Sequence, residues 1–178
     1  MTNIVRVERV DFQIAPGVLI DFYRFPDGEK RIGLTGAAIA CGHRKEYFQR
    51  LHSGAPKQLE ALQEAGFDGC TRDGMVERVS VGSKGSAKVK TLSQDDFLTF
   101  IKVSAFDLNK KPAQALAKAL MGVALESLMR AAFNEESLSL SEIRSMICRS
   151  YAKTLDWLEE DRNDAAEIDE HLIFLRAN

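Results

Sequence analysis

The residues best suited to chemistry are a cluster of donors in one short stretch. Arg44, Lys45, Gln49 and Arg50 lie close together and are interleaved with the apolar Phe48 and Leu51. Guanidinium, ammonium and amide donors above an apolar anchor are what a helix needs to lie in a DNA major groove, where they meet base edges and phosphates. The preceding stretch, Leu34-Thr35-Gly36-Ala37-Ala38-Ile39-Ala40, is small and apolar. Ala37 and Ala38 suit a close helix crossing. Gly42 follows and tolerates a left-handed turn. Small crossing residues, a glycine turn and apolar anchors behind it make the spacing of a helix-turn-helix. The reading places an N-cap at Thr35, the break at Gly42 and the second helix from His43 onward. His43 sits where such motifs usually carry an apolar residue, and is expected to face DNA or to be partly exposed.

A second cationic set follows. Arg78, Lys84, Lys88 and Lys90 flank Gly82-Ser83-Lys84-Gly85-Ser86, opposed only by Glu77. Apolar alternation predicts strands over 75–81 and 87–92 with a flexible turn over 82–86. Such a basic hairpin can track phosphates, each contact adding roughly one unit to the salt dependence of binding. It can also be an ordinary solvated hairpin whose lysines prevent edge pairing.

No catalytic or metal set assembles. His43, His52 and His171 lack ligand spacing among themselves, and Cys41 with His43 and His52 has no placed fourth partner. Asp95-Asp96 follows Ser93 and reads as the negative first turn of a capped helix. The glycine-serine turn lacks the GxxxxGK[ST] spacing of a phosphate loop. No acid-x-Lys triplet of the restriction-nuclease kind occurs, and no cofactor is implied.

These residues need a frame to hold them. Alternating apolar residues over 4–25, broken at Pro16-Gly17 and turned at Pro26-Asp27-Gly28, predict a small antiparallel sheet over 4–34. Helices are expected at 56–65, from Ser93 through Ile101 and over 112–133, the last with the stripe Leu116, Leu120, Val123 and Leu128. Ser139-x-x-Glu142 is a capping box. It opens a helix with Ile143, Ile147, Tyr151, Leu155 and Leu158 on one face. A last helix is expected from Asn163 or Asp164, with Ile168, Leu172 and Leu175 in register. The class is α+β: an N-terminal hairpin or small sheet, a winged-helix-like centre and a helical C-terminal half. Residues 1–111 are read as the DNA-binding region. Residues 112–178 are read as a helical region for core completion, dimerisation or an effector, with 134–138 as a candidate joint.

Charge follows the same division. The chain carries −2 overall, but residues 30–111 carry +5 and residues 112–178 carry −5. That asymmetry points to nucleic acid in one part and another task in the other. Three scattered cysteines without a CxxC pair suit a reduced, cytoplasmic protein. No apolar run is long enough for a bilayer.

A hairpin ending Phe25-Pro26-Asp27-Gly28-Glu29 is followed by the helix-turn-helix-like segment. A strand then closes on Lys90-Thr91-Leu92-Ser93-Gln94-Asp95-Asp96-Phe97, and an Ala-rich helix ends at Phe133. This order resembles the phage-associated Bro-N and KilA-N type domains of antirepressors and related mobile-element proteins. The resemblance covers residues 18–133. It implies sequence-specific binding of double-stranded DNA in gene regulation, with a separate helical C-terminal part. Two alternatives stand beside it: a protein-interaction module acting as inhibitor or adaptor on a host protein, and a homing-type nuclease with carboxylates the sequence does not place. A homodimer through the C-terminal helices would suit a two-half-site DNA target.

Overall fold

Alternation of apolar and polar residues builds the first hairpin. Strand β1 (Glu8–Ala15) pairs antiparallel with β2 (Val18–Arg24), with Phe12 opposite Ile20 and Val10 opposite Phe22. Val10, Phe12, Ile14, Ile20 and Phe22 therefore stand on one face, and Leu19, Asp21 and Tyr23 on the other. The turn at Pro26-Asp27-Gly28 forms as expected: Gly28 has φ 86°, and its N–H donates to the Phe25 carbonyl at 2.9 Å. Strand β3 (Lys30–Gly33) returns beside β2. The computed structural model of the chain describes residues 5–15, 17–54, 56–69, 71–80 and 83–156.

The second hairpin is longer than expected. Strands β4 (Arg72–Ser80) and β5 (Ser83–Leu92) pair in register out to Ser80 opposite Ser83. Residues 83–86, expected in the turn, instead belong to β5. Their Ser-Lys-Gly-Ser composition reads as a turn, but a facing strand supplies ladder partners that composition does not reveal. Ile32 pairs with Leu92, which joins the two hairpins into one antiparallel sheet of order β1-β2-β3-β5-β4. Residues 5–7, which lead into β1 at one edge, hydrogen-bond at the other: Val7 N–H donates to Met75 O at 3.0 Å, and Met75 N–H to Val5 O at 2.9 Å. The sheet is therefore curled, and part of the β4 edge is covered.

Helix α1 (Leu34–Ala40) continues directly from β3. Its N-cap is Gly33 with no side-chain cap, not Thr35, because the chain enters the helix straight from the strand. Gly36, Ala37, Ala38 and Ala40 are buried. A Cβ on Gly36 would lie 3.1 Å from both Leu19 O and Asp21 N, so α1 rests on the stretch of β2 that β3 does not pair. Helices α2 (Tyr47–Gly54) and α3 (Pro56–Glu64) follow. Helix α4 (Gln94–Lys102) is capped by Ser93, whose Oγ accepts from Asp96 N–H at 3.0 Å, and runs on as a π-helical turn over Val103–Asp107. Asp96 is buried, and its Oδ1 accepts from Asp68 N–H at 2.7 Å, clamping the loop after α3.

Helix α5 (Lys111–Ala132) is the longest described. Residues 140–156 form α6, opened by the reciprocal capping box: Ser139 N–H donates to Glu142 at 2.8 Å, and Glu142 N–H to Ser139 Oγ at 3.3 Å. One apolar cluster draws on the sheet, α1, α2, α4, α5 and α6, and so spans both sides of residue 111. Ile147 and Tyr151 are buried in it. With Ile143 and Leu155 packed against that cluster, the α6 stripe completes the chain's own core, the first of the roles read for residues 112–178. Leu158 and the helix expected from Asn163 or Asp164 lie outside the described residues.

Candidate nucleic-acid interface

The chain between α1 and α2 sets the candidate site. Helix α1 closes with hydrogen bonds from Gly42 N–H to Ile39 O and from His43 N–H to Ala38 O, both 2.9 Å. Gly42 takes φ 78°, and a Cβ there would meet Pro112 at 2.8 Å, so glycine is required twice over. The small crossing residues and the glycine turn stand where the sequence placed them.

The next residue, His43, is partly exposed as expected and lines a groove, but it does not start a helix. Its ring lies 4.1 Å from Tyr47 and 5.2 Å from Phe100, and its Nε2 is 3.0 Å from the hydroxyl of the buried Ser104. Burial, reinforced by the charge of Lys110, lowers its pKa to about 4, so the ring is neutral at pH 7. Docking this ring holds the chain out of helix until Tyr47, whose N–H donates to Arg44 O. Arg44 and Lys45 consequently project from the connection ahead of α2. Gln49 and Arg50 lie on α2 itself, and all four are exposed. The connection is longer than the tight turn the motif requires, and the second helix starts later than His43.

Helix α2 is anchored as its spacing demands. Phe48 and Leu51 are buried, with the Phe48 ring 4.7 Å from Phe100 and stacked on Phe67 at 6.4 Å. This fixes which face is wet.

A groove lies on each side of α2. In one, of about 650 Å³, Lys45 and Gln49 meet Lys88 and Lys90 of β5, with Arg9 of β1. The other, of about 870 Å³, is lined by Arg44, Arg50 and Lys110 with the rings of His43 and Tyr47. Lys88 is held 2.7 Å from Asp73, and Lys45 stands 3.7 Å from Glu46. Among the described residues, Arg44, Arg50, Lys90 and Lys110 have no ion-pair partner. Asp21 also lines the first groove and accepts a 2.7 Å hydrogen bond from Tyr23, whose phenol burial pushes well above its usual pKa.

Of the helix-proximal cations, Lys45 thus shares a groove with the strand cations Lys88 and Lys90, while Arg44 and Arg50 turn to the other. Arg78 and Lys84 sit on β4 and β5, opposite Gly85 and Val79, and their side chains lie outside the described residues. Sequence reasoning missed Lys110 and Arg9. No local signal marks Lys110, which reaches the site because the π-turn brings it back under His43. Arg9 is one polar position of an alternating strand, a signal too common to single out.

Among the described residues no group of three metal-ligating side chains occurs. Cys41 is buried and its thiol pKa is raised to about 12 by desolvation, so it offers no thiolate. No described helix is long and apolar enough to cross a membrane. No protein-family model, curated protein or solved structure matches the chain.

Proposed function

We propose that the protein binds double-stranded DNA, with α2 and the segment before it as the reading element and β5 as a flanking wing, and that it acts as a transcriptional regulator of phage or mobile-element type. One observation carries the reading: Lys45 and Gln49 share a groove with Lys88 and Lys90, while Arg44 and Arg50, without an ion-pair partner among the described residues, line the groove on the other side of α2. Lysines at a groove rim suit phosphates. Gln49 and Arg50, carried on a helix, suit base edges. The carboxylate of Asp21 in the first groove keeps phosphates to its rim by repulsion.

The test is a fluorescence-anisotropy titration on a pool of duplexes at low salt. Arg44→Glu combined with Arg50→Glu should lower affinity at least about tenfold with the fold intact by circular dichroism. Unchanged affinity in the folded double variant would reject the assignment. Incubation with Mg²⁺ or Mn²⁺ should leave the duplexes uncut, and metal-dependent cleavage would instead favour a nuclease.

A further inference from the structure

A second surface lies away from the grooves. The first half of α5 is core: Leu116 and Ala119 are buried. From Met121 onward one side of the helix is apolar and open, with Met121 61%, Leu125 58%, Leu128 66% and Phe133 75% exposed. Residues 121, 125, 128 and 132 follow the alternating four-three spacing of a coiled-coil seam. Gly122 beside it has nothing within 4 Å of an added Cβ, which leaves room for a close helix backbone.

The charges on this half of α5 are already used. Glu126 and Arg130 pair at 3.0 Å, and Arg130 also reaches Glu142 of α6 at 3.1 Å. The stripe therefore presents no charge by which a differently charged partner would be selected. Its complement is another uncharged apolar helix of the same spacing, and a second copy of α5 supplies one. The area agrees. Single apolar patches on monomers reach about 300–600 Å². Five large side chains, with Met129 added to the four above, make a patch of that order. Covering it on two copies, with its rim, approaches the roughly 1,200 Å² at which specific interfaces begin.

We propose that the chain forms a two-fold dimer through this face, α5 against α5. The contact is isologous, so each copy's stripe buries the other's. This proposal does not depend on DNA binding, and either can fail alone.

Sedimentation of the full chain over a concentration series tests it. The wild type should approach twice its 19.8 kDa mass. Leu125→Glu with Leu128→Glu should remain monomeric, with an unchanged circular dichroism spectrum. Should that variant misfold, Leu128→Cys gives a second reading, since a short bis-maleimide should link two copies through it. A wild type that stays monomeric at its highest soluble concentration overturns the proposal, whether residues 157–178 or another protein then cover the face. A double variant that still dimerises overturns the seam.

Discussion

His43 shows how a single residue reorders a motif. Its position after Gly42 marks it as a departure, but its role depends on Ser104, 61 residues away. Nothing local encodes that contact. Gly42, Ala37, Ala38, Phe48 and Leu51 were legible because steric rules of the turn and the helix crossing fix them within one short segment. The His43 pKa is depressed in the fold, from about 6.5 to about 4. Its contribution is therefore complete above pH 6.5 and is lost as pH falls toward 4. After discounting for a half-exposed ring, the loss is about 1–2 kcal/mol. Urea unfolding at pH 7 and pH 4.5 should show it, and His43→Gln should flatten the difference. An equal pH dependence in that variant would contradict the half-buried, neutral ring. Gly36→Ala should cost about 1–3 kcal/mol, since its Cβ would run into the Asp21 carboxylate and press on Leu19 O and Asp21 N at 3.1 Å. A variant as stable as wild type would mean that α1 does not lie so close to β2.

At the scale of elements, local signals succeeded where they are self-contained. Ser93 at the head of α4 and Ser139 with Glu142 at the head of α6 cap their helices as their spacing requires. Ser139→Ala should cost about 1 kcal/mol, read as a lowered urea midpoint with an unchanged slope. No change would show that Glu142 holds the helix start alone. The beginnings of β5 and α2 were not legible, because each depends on a neighbour far along the chain. Residues 83–86 are strand because β4 faces them, and residues 43–46 are not helix because the His43 ring docks against Tyr47 and Phe100. The α6 stripe was legible as an apolar face, but whether that face meets the chain's own sheet or a second copy is decided by topology. Ile147 and Tyr151 fill the core, and the open apolar surface falls on α5.

For the whole molecule, the charge division seen in the sequence acquires a place. The +5 region surrounds α2 and the β4–β5 arm, and the lysines of β5 share a groove with Lys45 and Gln49 although some forty residues separate them in sequence. The pairing of Ile32 with Leu92 makes that possible by joining the two hairpins in one sheet. A protein held to DNA by these cations should release counterions on binding. The most direct test is the slope of log affinity against log salt for the wild type, Arg44→Ala and Lys90→Ala. DNA binding through these cations requires a steep negative wild-type slope, shallower by about one in each variant. A wild-type affinity independent of salt, or the same slope in all three proteins, would contradict it.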